Sequence, residues 1–74
     1  MKIEVRLFAY FRNGRWKRQS MEFKDRSTLA DIIKEIGIKE EELSIGLING
    51  RDGSLDREVK DGDVLALFPP VGGG

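Results

Sequence analysis

Hydrophobic and polar side chains alternate along the first ten residues. From Lys2 to Tyr10 every second position is apolar, and the positions between them are charged or aromatic. A period of two predicts a β-strand with one face in the core. The core-facing set is Ile3, Val5, Leu7 and Ala9. Asn13-Gly14 is a strong turn signal and residues 17–23 alternate again, so the first third predicts a β-hairpin.

The period changes to that of a helix after Ser27 and Thr28. The apolar side chains then fall on one stripe about three turns long, which is typical of a helix packed against a sheet. This stripe contains Leu29, Ile32, Ile33 and Ile36. Thr28 can act as the N-cap and Asp31 can complete a capping box, while Gly37 can end the helix in a left-handed conformation. The sequence therefore predicts one main amphipathic helix.

Shorter elements follow the helix. Residues 39–42 predict an exposed turn of helix, and Ile45 to Ile48 predict a third strand that ends at Asn49-Gly50. Two Asp-Gly pairs, at residues 52–53 and 61–62, predict further turns. Between them, Leu55 and Val59 are expected to anchor the chain to the core.

Residues 64–68 are apolar at every position. This run predicts a central strand that pairs in parallel with the first strand and is covered on both faces. Pro69 is expected to end the strand because it has no N–H to donate. The element order predicts an α+β fold of the β-grasp type, with one main helix across a mixed sheet of four to five strands. We expect one domain over residues 1–70 and a flexible glycine-rich tail over residues 71–74.

Composition limits the chemistry that the chain can perform. The 74 residues include neither cysteine nor histidine. Disulfides, thiolate or histidine metal sites and ordinary catalytic triads are thus excluded, and we expect no metal site, no bound cofactor and no catalysis by this chain alone. No stretch approaches the roughly 20 apolar residues of a membrane span, and no apolar signal region follows Met1. We expect a soluble, cytoplasmic protein.

Charge is unevenly distributed although the formal net charge is zero. Residues 1–26 contain eight Lys or Arg and three Asp or Glu, whereas residues 27–74 contain five and ten. This layout favours oriented docking with a charged partner, and it is also compatible with a solvated surface that has no role.

A nucleic-acid-binding module is a distant alternative. In that interpretation basic side chains contact phosphates and aromatic side chains stack on bases. The residues concerned are Arg12, Arg15, Lys17 and Arg18, with Tyr10, Phe11 and Trp16. Hairpins also carry such residues for edge protection and cross-strand packing, and the zero net charge argues against nucleic acid as the partner.

The chain ends in a glycine-rich segment directly after the last predicted strand. Residues beyond Pro70 span roughly 13 Å when extended, and glycines can enter a channel that is too narrow for other residues. A terminal carboxylate is a poor electrophile, so its use requires a partner that converts it with ATP to an acyl-adenylate. The chain has no glycine-rich phosphate loop between a strand and a helix, so activation must come from another protein. The alternative interpretation is that the glycine-rich segment is a flexible end without a function.

The segment from Lys60 to Gly74 closely resembles the C-terminus of the MoaD/ThiS family, the ubiquitin-like sulfur carriers of molybdopterin and thiamine synthesis. Three further segments resemble the first strand, the helix start and the third-strand turn of that family, and these are Leu7 to Arg12, Thr28 to Ile33 and Ile48 to Arg51. The Phe68-Pro69-Pro70 segment resembles molybdopterin-type members, which form the small subunit of a synthase. The basic, aromatic loop at residues 13–18 departs from the family, as does Gly72, where related tails frequently carry alanine.

The resemblance implies a role for each residue of the C-terminal segment. The Gly74 carboxylate, preceded by Gly73, would be adenylated by a MoeB/ThiF-like activating enzyme that uses ATP and then converted to a thiocarboxylate. The partner-binding residues would be Phe68, Pro69, Pro70, Val71 and Gly72, with a MoaE-like large subunit as the second partner. Phe68 could equally pack in the core because it continues the strand. A ubiquitin-like protein modifier, and a sulfur carrier for thiamine or for tRNA thiolation, remain alternatives.

Overall fold

A five-stranded mixed sheet with one helix forms the structure, a computed structural model that describes residues 1–70. The strands are β1 (Lys2–Leu7), β2 (Arg18–Glu22), β3 (Ile45–Ile48), β4 (Arg51–Asp52) and β5 (Val64–Phe68), and the helix is α1 (Leu29–Ile36). Two short 3₁₀ helices cover Ala9–Arg12 and Glu40–Glu42. The strand order is β2-β1-β5-β3-β4, and β5 lies parallel to β1 and antiparallel to β3. The predicted mixed sheet with a central last strand is confirmed.

Local sequence signals account for both ends of α1. The Thr28 hydroxyl accepts a hydrogen bond from the Asp31 backbone N–H at 3.2 Å, and the Asp31 carboxylate accepts one from the Thr28 N–H at 2.9 Å. These bonds satisfy two N–H groups that a helix N-terminus leaves free. Hydrogen bonding of the Asp31 carboxylate to Thr28 lowers the pKa of Asp31, the bond from the Thr28 backbone contributing most. Gly37 ends the helix with a φ of 96°, in the left-handed region. The predicted capping is confirmed at both ends.

The core lies between α1 and one face of the sheet. Its fully buried members are Ile3, Val5, Leu7, Leu29, Ile32, Ile33, Leu65 and Leu67. Val59 is also buried, and Leu55 packs against the core, as expected for the two anchors. The expectation that β5 is covered on both faces is wrong, because one helix covers one face and Val64, Ala66 and Phe68 remain only half-buried on the other.

The connection between β1 and β2 differs from the prediction. β1 ends at Leu7 rather than at Tyr10, and Ala9 is exposed with a φ of 52° at the start of a 3₁₀ helix. Phe11 is buried instead, with 2% of its surface exposed. Asn13-Gly14 lies within this ten-residue connection, between β1 and β2, and only Gly14 of the pair has a positive φ. The antiparallel pair is confirmed, but a two-residue turn is not, because the connection contains a 3₁₀ helix that packs the Phe11 ring into the core.

Asn49-Gly50 forms the tight turn between β3 and β4. Both residues have positive φ, at 53° and 80°, which asparagine and glycine tolerate best. β4 has only two residues, so it is too short to produce a sequence pattern of its own. No helix within residues 1–70 is long and apolar enough to cross a membrane.

Candidate functional site

The backbone at the end of β5 is held on both sides of the strand. The Phe8 N–H donates to the Leu67 carbonyl at 3.2 Å, and the Ser44 N–H donates to the Phe68 carbonyl at 2.9 Å. Pro69, which follows, is buried, and Pro70 is exposed. The point at which the chain leaves the sheet is therefore fixed by Phe8, which follows β1, and by Ser44, which precedes β3.

An apolar patch covers the sheet face opposite α1 at this end. We define it as Phe8, Ile45, Leu47, Ala66 and Phe68. The register pairs Ile45 with Phe68 and Leu47 with Ala66, which places these four side chains on one face. The rings of Phe8 and Phe68 stack with centroids 4.3 Å apart and an interplanar angle of 12°. Ile45 is 48% exposed, so the patch presents apolar surface to solvent, as protein-binding sites commonly do.

Phe68 belongs to this patch and not to the buried core. It is half-buried, and its ring rests on Phe8 rather than against α1. Phe68 was predicted either to face a partner or to pack in the core. Its position on the sheet face opposite α1 favours a partner-facing role. Four other predicted site residues, Val71, Gly72, Gly73 and Gly74, lie outside the described residues.

Basic side chains border the apolar patch on the β1 and β2 side. A cavity of about 270 Å³ is lined by Arg6, Phe8, Arg12, Lys17 and Arg18. The Arg12 Nε atom donates to the Leu7 carbonyl at 2.7 Å, and its guanidinium carbon lies 5.2 Å from the centroid of the Phe8 ring. A cation over an aromatic face is attracted by the ring's negative charge distribution. Arg12, Phe8 and Phe68 thus form one stacked unit where β5 ends.

The remaining part of the basic, aromatic loop has a structural role. Arg15 donates from one terminal nitrogen to the Phe11 carbonyl and from the other to the Gly37 carbonyl, both at 3.0 Å. The second bond places a cation at the C-terminus of α1, where the helix dipole favours positive charge. Trp16 is half-buried and packs against the core. Of the aromatic rings of Tyr10, Phe11 and Trp16, that of Tyr10 is the exposed one. Because Phe11 is buried, its ring cannot stack on a base in this conformation.

Sequence reasoning missed four members of the patch, Phe8, Ile45, Leu47 and Ala66. Phe8 occupies the polar set of the first strand, and Ile45 and Leu47 occupy alternate positions of the third. The sequence did contain a signal, because Ile45 and Leu47, like Ala66 and Phe68, are apolar residues two positions apart and so share one face of a sheet. The register that joins them depends on tertiary pairing, which local pattern does not provide.

Known proteins similar to this chain support the predicted ubiquitin-like β-grasp fold. Residues 5–74 match the sequence model of the ThiS family. A Pyrococcus furiosus protein described as molybdopterin converting factor subunit 1 is 33% identical, with a TM-score of 0.77 and coverage of 96% of this chain and 99% of that chain. A chain of the complex between subunits 1 and 2 of the Helicobacter pylori molybdopterin-converting factor is 30% identical, with a TM-score of 0.63 and full coverage of both chains. Small archaeal modifier protein 1 of Haloferax volcanii has a TM-score of 0.78 at 24% identity, covers 95% of this chain and 98% of its own, and supports the fold alone.

Proposed function

The chain belongs to the ThiS family of ubiquitin-like sulfur carriers, and we propose that it carries sulfur as a thiocarboxylate on its Gly74 carboxyl group. The observation that carries the proposal is the placement of the apolar patch. The patch surrounds the residue at which β5 passes into the glycine-rich segment, so a protein docked on the patch lies next to the start of that segment.

The proposed chemistry proceeds in two steps on a partner enzyme. The Gly74 carboxylate attacks the α-phosphorus of ATP, which releases pyrophosphate and forms an acyl-adenylate. A sulfur nucleophile at the oxidation level of sulfide then attacks the carbonyl carbon and displaces AMP, leaving a thiocarboxylate. The part played by this chain is to dock and to present the terminus, while a MoeB/ThiF-like activating enzyme binds ATP.

Molybdopterin synthesis is the pathway that we propose for the carried sulfur. Two similar proteins, at 33% and 30% identity, are described as part of a molybdopterin converting factor, and one of them is in a complex with subunit 2. By analogy, we propose a MoaE-like large subunit as the second partner, with the apolar patch in the interface. Phe68 and Pro70 would contact the partner, while the buried Pro69 would fix the direction of the segment that follows. Val71, Gly72 and Gly73 would extend the reach of Gly74.

The test is the intact mass of the purified chain after incubation with ATP, a sulfide source and the activating enzyme of its source organism. We expect a mass gain that corresponds to replacement of one oxygen by sulfur. A variant that lacks Gly73 and Gly74 is the matched control, and it should keep the thermal stability of the parent chain while showing no gain. A gain in the control, or none in the parent chain under conditions that convert a known carrier, would contradict the proposal.

The same incubation separates the carrier from a protein modifier. Both functions begin with an adenylated glycine, but a modifier transfers the acyl group to a lysine amine and forms an isopeptide bond. Addition of host extract should then produce higher-mass conjugates that depend on Gly73 and Gly74. Conjugates without a free thiocarboxylate would favour the modifier, and a thiocarboxylate that transfers its sulfur to the molybdopterin precursor would favour the carrier.

A further inference from the structure

Positive charge is concentrated beside the apolar patch and is only partly neutralised. Three of the four cations that line the 270 Å³ cavity come from the strands β1 and β2 or their immediate ends, and these are Arg6, Lys17 and Arg18. Among residues 1–70, Glu4 is the carboxylate that pairs with them, at 2.6 Å from the Arg6 Nε atom and 4.0 Å from an Arg18 terminal nitrogen. One carboxylate against this basic cluster, which we define as Arg6, Arg12, Lys17 and Arg18, leaves a net positive surface.

The strand register places two of these cations against each other. Arg6 and Arg18 are directly opposite in the antiparallel pair of β1 and β2. Like charges at opposed positions destabilise a strand pair, and neutral residues would avoid this cost. The Glu4 carboxylate contacts both side chains and offsets part of this repulsion, and a further anionic group bound beside them would offset the rest. The pair thus adds to the net positive charge of this surface, which favours an acidic ligand.

The surroundings of the basic cluster indicate the kind of ligand. Phe8 lines the cavity and also stacks on Phe68, so the basic cluster and the apolar patch form one continuous surface. A free phosphate would cover only the charged part of it. In addition, the Nε atoms of Arg6 and Arg12 already donate to Glu4 and to the Leu7 carbonyl. A protein surface that carries an apolar centre and acidic side chains at its border matches both parts.

We propose that the basic cluster binds Asp and Glu side chains of the protein that docks on the apolar patch. The identity of that protein rests on the proposed function, with subunit 2 of the molybdopterin converting factor as the partner tested. The basic cluster contains four of the eight Lys and Arg residues in residues 1–26, and on this proposal those four serve in partner binding. Charges at the border of an interface mainly accelerate association and fix orientation, while the apolar centre slows dissociation.

The kinetic test compares two double variants that remove the same charge. Lys17→Gln with Arg18→Gln changes the basic cluster, and Lys24→Gln with Lys60→Gln removes two exposed lysines elsewhere. We expect the first variant to associate with purified subunit 2 of the source organism roughly five- to tenfold more slowly at low salt, because steering by local charge raises association rates. At about 1 M salt, where the Debye length is about 3 Å, the difference should disappear. Equal rates for the two variants, or a difference that salt leaves unchanged, would overturn the proposal.

A titration without the partner separates this proposal from the proposed function. Isotope-labelled full-length protein is titrated with a synthetic peptide that has one phenylalanine between two pairs of glutamates, and separately with inorganic pyrophosphate. The peptide should shift the backbone amide signals of Arg6, Arg18 and Phe68, and the shifts should weaken in the Lys17→Gln, Arg18→Gln variant. Equal or larger shifts with pyrophosphate, or none with the peptide, would overturn the docking proposal even if a thiocarboxylate forms. Peptide binding by a chain that forms no thiocarboxylate would overturn the carrier function alone.

Discussion

Replacement of Phe68 by alanine should weaken partner binding while the protein stays folded. Phe68 is partly buried, and its ring stacks on Phe8 at a centroid distance of 4.3 Å. Full burial of a phenylalanine side chain contributes about 1.5–3 kcal/mol, and an aromatic pair adds roughly 0.5–1.5 kcal/mol. Because most of the side chain is already buried, we expect Phe68→Ala to lower the free energy of unfolding by roughly 2–3 kcal/mol.

The expected loss of binding follows from the position of Phe68 within the patch. Aromatic side chains near the centre of an interface commonly contribute at least about 2 kcal/mol, which corresponds to a Kd increase of about thirtyfold. Calorimetric titration of subunit 2 with the variant measures this change. The titrations of the parent chain and the variant are run at a temperature at which urea denaturation curves show that both are folded. Unfolding then does not reduce the apparent affinity.

A matched control separates binding from stability. Ile36 is half-buried on α1, on the other side of the sheet, and packs against the core. Ile36→Ala should lower the free energy of unfolding by roughly 2 kcal/mol, as truncation of a packed isoleucine typically does, and should leave the Kd unchanged. An unchanged Kd for Phe68→Ala, or an equal increase in both variants, would refute the assignment of the patch as the partner surface.

Three further predictions concern local stability. Thr28→Ala should destabilise the protein by roughly 1 kcal/mol through loss of the N-cap, as measured by urea denaturation. Because the native bonds lower the pKa of Asp31 below its usual 3.8, their contribution is present above that pH and is lost as the pH falls through the native pKa. The backbone bond from residue 28, which contributes most, is kept in Thr28→Ala, so this loss in acid should occur in both proteins. Ala9→Gly should stabilise by roughly 0.5–1 kcal/mol, since a left-handed φ of 52° disfavours alanine. Arg15→Ala should destabilise by roughly 1–3 kcal/mol through loss of two hydrogen bonds, and Arg15→Lys should restore little because lysine lacks the planar fork.

Each of these predictions has a result that would contradict it. Equal stability of parent and Thr28→Ala at neutral pH would show that the Thr28 hydroxyl does not act as the N-cap. A loss of stability in Ala9→Gly would mean that flexibility of the unfolded chain outweighs the relief of strain. If Arg15→Lys is as stable as the parent, the positive charge at the end of α1, rather than the two hydrogen bonds of the guanidinium, accounts for the contribution of Arg15 to stability.

The parts of the fold that were predictable from sequence are those fixed by neighbours along the chain. The capping of α1 involves Thr28, Asp31 and Gly37, which are close in sequence, and the centrality of β5 follows from its unbroken apolar composition. The early end of β1 was not predictable in the same way, since burial of Phe11 depends on the packed structure. In the site, Phe68 was identified, but Phe8 and Ile45 required the register of three strands.

The uncovered face of the sheet links the size of this protein to its proposed role. Within residues 1–70, one helix is long enough to cover the sheet, and that helix buries Leu65 and Leu67 on one side of β5. No element of the described part of the chain covers the alternate residues of the same strand, so Ala66 and Phe68 contribute surface rather than core. Because residues on the two faces alternate, selection for binding can act on Phe68 while selection for folding acts on Leu67, its neighbour in the chain. A short domain with a central last strand can therefore maintain a docking surface at its C-terminal end without a separate binding module.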